Sequence, residues 1–304
     1  MGGASASDVV PVSVVIATVG PASRIAACLR SISECNPRPD EIIVVDQSGD
    51  EAVHAAVADF LRAGAKLLTS PVRGKSPAVN LGIRAAAHEI VCLTDDDCTV
   101  ERSWVEAAWT HLSDHPESIV TGRVLPGGDA AGVASLVGLE VPRDYTGQIH
   151  DDVLFGCNMA CSRSRVIALG GFDYRVELVE DNDLCYRWLR AGQQLHYDPS
   201  LLVWHHAWRS PPELERQFRG YARSQGIFYA KHLRHKDLGV VRFLVRDARR
   251  AARGVASRIV HGHREWPDAR RALPAGVIGG LITGWRRFGP RGQPAETSTW
   301  IERS

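Results

Sequence analysis

The sequence predicts an α/β protein: a mostly parallel central sheet flanked by helices, followed by a basic helical appendage. Three observations carry this. Residues 12–17 (VSVVIA), 41–45 (EIIVV) and 89–93 (EIVCL) are apolar runs rich in β-branched side chains, as strands buried on both faces require. Stretches with helical spacing alternate with these runs, which is the βαβ pattern of a parallel sheet with right-handed crossovers. The three runs lead into polar residues: Thr18, Asp46, and the triplet Asp95, Asp96 and Asp97. On such sheets ligands bind beyond the carboxyl ends of the strands.

Taken in order, the first strand gives way to a short polar turn and a helix over 25–32, which Pro37 and Pro39 terminate. The second strand ends on Asp46. Residues 51–63 read as helix, 65–68 as a short third strand, 76–88 as helix and 89–93 as the fourth strand. After Trp104 the pattern turns irregular, and 126–152 is a loop region rich in Gly, Asp and Pro. Residues 156–171 give a strand, a helix and a double glycine. A helix over 182–191 stops at Gly192, and 201–204 is a late strand. From 211 the chain is helical and basic. The domain expectation is a loose leader over 1–10, a ligand-binding α/β domain over 11–210 and a basic helical region over 211–304.

Composition excludes several classes. With 304 residues, 44% hydrophobic and 23% charged, the chain is an ordinary globular protein, not a disordered one. The net charge of +1 conceals an asymmetry: residues 1–206 carry 16 basic and 27 acidic side chains, the remainder 20 and 8. The basic part includes Arg246, Arg249, Arg250, Arg253 and Arg258. Such a surface suits an anionic membrane, an anionic substrate or the acidic domain itself. No nucleic-acid recognition motif accompanies it, so no nucleic-acid partner is expected. The seven cysteines form no pair of CxxC motifs, so they read as free thiols of a reducing cytosol, not a structural zinc site. No signal peptide opens the sequence. No run reaches the roughly 18 apolar residues of a membrane span; residues 273–285 are shorter and contain Gly276, Gly279, Gly280 and Gly284. The expected location is cytoplasmic, at most peripheral at the inner face of the membrane.

Each motif has a chemical and a plain structural reading. Three consecutive carboxylates repel one another without a cation, and hard oxygen ligands after a buried strand suit Mg²⁺ or Mn²⁺. The plain alternative is a solvated turn capping a helix over 102–112. Asp46 has the chemistry to accept hydrogen bonds from a nucleobase or ribose, or to close its strand with an Asx-turn. RGKS (73–76) is not a P-loop, because Thr69 stands where that motif needs glycine. Lys75 or Arg73 is still able to meet a phosphate. The turn TVGPAS has no GxGxxG. Glu180, Asp181 and Asp183 favour a helix N-terminus electrostatically, while one of them has the chemistry of a general base. His205 and His206 end a strand, as structural histidines or as a metal ligand.

In order along the chain, VSVVIATVG (12–20), EIIVVDQSGD (41–50), RGKSPAVNLGIRAAAHEIVCLTDDDC (73–98), FGCNMACSRSRVIALGGFDYRVELVEDNDLCYRWLRAG (155–192) and VWHH (203–206) resemble inverting glycosyltransferase family 2. The resemblance spans roughly 12–206 and implies a GT-A, Rossmann-like fold. It implies that Thr18 and Asp46 line the nucleobase site, and that Asn80 lies under the nucleotide, with Lys75 or Arg73 supplying positive charge. Asp95, Asp96 and Asp97 are then the DxD element, with the ribose nearer Asp95 and the metal on Asp96 or Asp97. Asp181 is implied as catalytic base beside Glu180. His205 is implied as the late metal or phosphate ligand, with His206 as the neighbouring candidate. Asn158 and Met159 are implied on the acceptor side. Two positions depart from the pattern: Val79 stands where many relatives carry Arg, and TVGPASR lacks the common Asn.

The implied activity is metal-dependent inverting transfer of a sugar from a nucleotide-sugar, UDP- or dTDP-linked, to an acceptor hydroxyl. The acceptor is a glycan, a lipid-linked group or a small molecule. Peripheral membrane contact through the basic region and a homodimer are the expected further associations. A sugar-phosphate nucleotidyltransferase and a non-catalytic nucleotide-sugar-binding protein are the rival readings.

Overall fold

The computed structural model describes residues 9–128, 133, 136–147, 156–206, 210–261 and 274–289. The chain divides into two compact units, Met1–Tyr174 with Leu184–Trp208, and Arg175–Asp183 with Arg209–Ser304.

The first unit begins with β1 (Val9–Thr18), α1 (Ala22–Ser33), β2 (Arg38–Asp46), α2 (Glu51–Arg62), β3 (Lys66–Thr69), α3 (Lys75–Ala85) and β4 (Ile90–Asp95). These follow the sequence pattern closely. β1 pairs in parallel with both β2 and β4, and β2 in parallel with β3. Alternation along β1 separates the two layers. Val12, Val14 and Ile16 join Val44 and Cys92 in one core with Ile25 and Leu29 of α1, Val53 and Val57 of α2, and Trp104 and Val105. Burying each such aliphatic side chain contributes about 1.5–3 kcal/mol. Val15 and Val45 point the other way, to α3, which lies so close that a Cβ at Gly82 would collide with Val15. Asp50 caps α2 by accepting from the Ala52 amide at 2.8 Å. At the amino ends of the strands, buried Glu41 accepts from Ser13 Oγ (2.5 Å), Lys66 Nζ (2.5 Å) and the Ala87 amide (2.8 Å).

Beyond β4 the sheet becomes mixed. The elements are β5 (Cys98–Val100), α4 (Trp104–Asp114), β6 (Ser118–Pro126), β7 (Arg143–Thr146), β8 (Asn158–Ser162), α5 (Arg163–Ala168) and, after α6 (Glu180–Arg190), β9 (Gln194–His205). The described sheet has nine strands in the order β3-β2-β1-β4-β8-β6-β9-β5, with β7 paired to β9. β8 inserts antiparallel between β4 and β6, β6 and β9 are parallel, and β5 and β7 are antiparallel to β9. The parallel expectation therefore holds for the first four strands. Of the later strands, β6 and β9 run in the same direction as these four, and β5, β7 and β8 run the other way. β6 and β7 fall in stretches that read as irregular, and β9 starts well before 201. The leader gives way to strand already at Val9. Of the loop 126–152, positions 129–132, 134–135 and 148–152 lie outside the described residues, as does Phe155 of the quoted motif.

The second unit holds most of a 3₁₀ turn (Tyr174–Val179), the start of α6, α7 (Pro211–Arg234), a short 3₁₀ turn (Leu238–Val240), α8 (Val241–His261) and α9 (Pro274–Arg287). A capping box between Ser210 and Glu213 opens α7. Gly276, Gly280 and Gly284 of α9 lie against Ala222, Arg223, Gly226, Ile227 and Ala230 of α7, an approach that leaves no room for side chains. No helix among the described residues is long and apolar enough to cross a membrane.

Candidate active site at the carboxyl ends of the strands

β4 ends on Asp95, and Asp96 and Asp97 form the turn into β5. Antiparallel pairing of β5 with β9 sets Cys98 opposite His205. That register delivers His205 to the acidic turn: its Nε2 lies 3.3 Å from Asp97 Oδ1, and both side chains are buried. His206 turns elsewhere. Its ring nitrogens meet Thr99 Oγ1 and the Gly127 carbonyl, each at 2.9 Å. Of the two adjacent histidines, His205 faces the triplet.

The carboxylates are distributed among different partners. Thr18, at the end of β1, donates to Asp96 Oδ2 at 2.6 Å. Lys75, opening α3, meets Asp95 Oδ1 at 2.5 Å. Burial raises the Asp96 pKa to about 6; the Thr18 hydrogen bond and Arg24 oppose this, and Asp97 and Asp95 add to it. Burial alone would lower His205, but the hydrogen bond to Asp97 and the nearby acidic groups raise it to about 9. Arg24 carried no motif signal, and only the fold brings its charge near Asp96.

A divalent cation fits this donor set. Oxygen and nitrogen ligands about 2.1 Å from one ion, at right angles, stand about 3 Å apart, close to the observed Asp97–His205 separation. Two buried carboxylates in one turn favour a nearby positive charge. The sulfurs of Cys98 and Cys157 and a ring nitrogen of His205 also lie within 4.8 Å of one another. Neither cysteine had a role in the sequence pattern.

Asp46 ends β2 with its carboxylate drawn back on its own turn. It accepts from the Ser48 amide (2.9 Å), Ser48 Oγ (2.6 Å) and the Gly49 amide (3.2 Å), and His54 Nε2 lies at 3.2 Å. Burial works against its charge, yet these hydrogen bonds prevail and keep its carboxyl below the usual range. Asn80 makes a two-way amide pair with the Phe172 backbone, both bonds 2.8 Å, fixing α3 to the segment after α5. Asn158 and Met159 are fully buried in β8. The Asn158 side chain accepts from Trp104 Nε1 (2.9 Å) and donates to the Arg123 and Leu201 carbonyls (2.9 and 2.8 Å), joining α4, β6 and β9.

Glu180 and Asp181 open α6 within the second unit, and Asp181 Oδ1 accepts from the Asn182 amide at 2.8 Å. The same segment is anchored to the C-terminal helices. Fully buried Asp183 accepts from Lys231 Nζ at 2.7 Å through both oxygens, and His232 Nε2 lies 2.9 Å away. Glu177 has φ of 67°, a strained value for a non-glycine residue, and its carboxylate meets Arg223 and Arg287 at 2.6 and 3.0 Å. Sequence spacing gave no sign of these partners.

Comparisons with known proteins identify the family of the chain. The chain is 29% identical over 150 residues to a pre-mycofactocin glycosyltransferase of Mycobacterium tuberculosis, covering 44% of this chain and 30% of that protein. It thus spans about a third of that relative's length. It is 25% identical over 242 residues to the amylovoran biosynthesis glycosyltransferase AmsE of Erwinia amylovora, covering 73% of this chain and 86% of the relative. The fold is shared with the mannosyltransferase PcManGT of Pyrobaculum calidifontis, solved with GDP-Man and Mn²⁺, at a TM-score of 0.61 and 19% identity, over 90% of this chain and 86% of that one. The family model for glycosyl transferase family 2 matches residues 13–166, just over half of the sequence. With a mixed sheet of the GT-A kind and an acidic turn at its carboxyl end, the chain belongs to glycosyl transferase family 2.

Proposed function

We propose that the chain transfers a sugar from a nucleotide-sugar, UDP- or dTDP-linked, to an acceptor hydroxyl, with inversion and with Mn²⁺ or Mg²⁺. The observation that carries this reading is the approach of His205 to Asp97, beside buried Asp96, at the carboxyl ends of the strands. Asp97 or Asp96 and His205 would hold the divalent ion, which would supply positive charge to offset the leaving diphosphate. Thr18 fixes the orientation of Asp96. Lys75 and Asp95 form an ion pair at the mouth of β4, ready to exchange partners with phosphate and ribose. Thr18, Asp46 and Asn80 shape the nucleotide side through the turns they hold. Asp181 takes the proton of the attacking hydroxyl, with Glu180 beside it, a contribution of about 10²–10⁴-fold in general-base catalysis. Attack from the face opposite the leaving group inverts the anomeric carbon in one displacement.

Thermal-shift screening of UDP, dTDP and GDP sugars, with and without Mn²⁺ or Mg²⁺, tests the reading. A ligand specific for the folded state stabilises by about 2.7 kcal/mol at a hundred times its Kd. A metal-dependent shift supports the donor site and names its base. Pyrophosphate release from a nucleoside triphosphate and a sugar phosphate would instead support a nucleotidyltransferase.

We further propose cytoplasmic action at a membrane surface. Ile278, Ile282 and Trp285 of α9 are exposed at helical spacing, with Arg286 following. Apolar side chains beside cations suit an anionic lipid interface. Flotation with anionic vesicles at low salt tests this, and an absence of binding removes it.

A further inference from the structure

All seven cysteines are free and buried, but two differ from the rest in position. Cys98 opens β5 opposite His205, and Cys157 precedes β8. Their exposures are 1% and 5%. The proposed transfer chemistry uses neither thiol. Yet the two sulfurs converge with a ring nitrogen of His205, all within 4.8 Å of one another.

Two thiols and one imidazole are the donor set of a thiophilic cation, whereas Mg²⁺ and Mn²⁺ prefer oxygen. In a tetrahedral zinc site with Zn–S about 2.3 Å, the sulfurs stand about 3.8 Å apart, so a closure of at most about 1 Å completes the geometry. Asp97 is a neighbour of this trio and not a member of it. Asp97 Oδ1 lies 3.3 Å from His205 Nε2 and 3.8 Å from Cys98 Sγ.

We infer that Cys98, Cys157 and His205 form a second cation site, selective for a thiophilic divalent ion such as Zn²⁺, with its fourth position open. The thiols bind as thiolates and release their two protons to solvent. Because His205 belongs to both sites, Zn²⁺ and the divalent metal of the transfer reaction compete for it. That competition rests on the functional reading above; the thiolate site does not.

Cobalt titration of the full chain reads the site directly. The expected result is a near-ultraviolet thiolate-to-cobalt charge-transfer band that Zn²⁺ abolishes. Cys98→Ser and Cys157→Ser each cut the band to about half or less and weaken Zn²⁺ binding roughly tenfold or more, and the double variant removes the band. Circular dichroism checks their folding, and Cys98→Ala and Cys157→Ala replace either variant that misfolds. No band with the wild-type chain, or a band that survives both substitutions, overturns the inference. Failure of the nucleotide-sugar reading shows differently: the cobalt band is present while Mn²⁺-dependent nucleotide binding is absent.

Discussion

His205 Nε2 stands 3.3 Å from Asp97 Oδ1, although β6, β7 and β8 lie between them in sequence. The backbone repeats the link, since the His206 amide donates to the Asp97 carbonyl at 2.9 Å. Pairing of β5 with β9 is thus the device that assembles the acidic turn with its imidazole.

His205→Ala is expected to weaken Mn²⁺-dependent nucleoside diphosphate binding about tenfold or more, measured by calorimetry. His206→Ala should leave that binding in place and cost about 1–2 kcal/mol of stability, because its ring joins Thr99 to Gly127. Equal binding by the two variants would remove the assignment of His205.

Asp181→Asn should bind nucleotide as the wild type does and lose transfer by about 10²–10⁴-fold. The comparison needs single-turnover rates beside nucleotide Kd values. A wild-type rate means that another group takes the proton.

Asn158→Ala leaves the Trp104 indole and two backbone carbonyls without their buried partner. A loss of roughly 3 kcal/mol or more is expected in urea unfolding. An unchanged unfolding midpoint together with a raised acceptor KM would instead give Asn158 the acceptor-side role that its motif implies.

Glu41→Gln tests the amino end of the sheet. Burial works against the Glu41 charge, but hydrogen bonds from Lys66, Ser13 and the Ala87 amide outweigh it and lower its pKa. A carboxyl lowered on folding adds stability above its unfolded pKa, about 4.3, and this stability is lost as pH falls through the folded value. Glu41→Gln should therefore cost about 1–3 kcal/mol at neutral pH, with the gap to wild type closing in acid. A gap independent of pH would show that the charge contributes nothing.

The sequence by itself determined the parallel half of the sheet. VSVVIA, EIIVV and EIVCL are buried on both faces, and continuous β-branched runs have few other stable places. It also determined that Thr18, Asp46 and the Asp95 triplet share one edge, since parallel strands end on the same side. Of the mixed half, β8 and the end of β9 were legible and the rest was not. β6, β7 and β9 are stabilised by partners distant in the chain, and their own residues carry no strong period.

Within the site, residue types were readable and their partners were not. A histidine pair looks the same whichever ring faces a metal, and only the β5–β9 register turned His205 inward and His206 toward Thr99. The motif could not tell whether Asp46 reaches for a ligand or for its own turn; local geometry drew it to Ser48 and Gly49. The anchoring of Asp183 by Lys231 and His232, and the meeting of Cys98 with Cys157, are tertiary facts. Periodicity records which face a residue buries, whereas contacts between distant segments depend on how the whole chain closes.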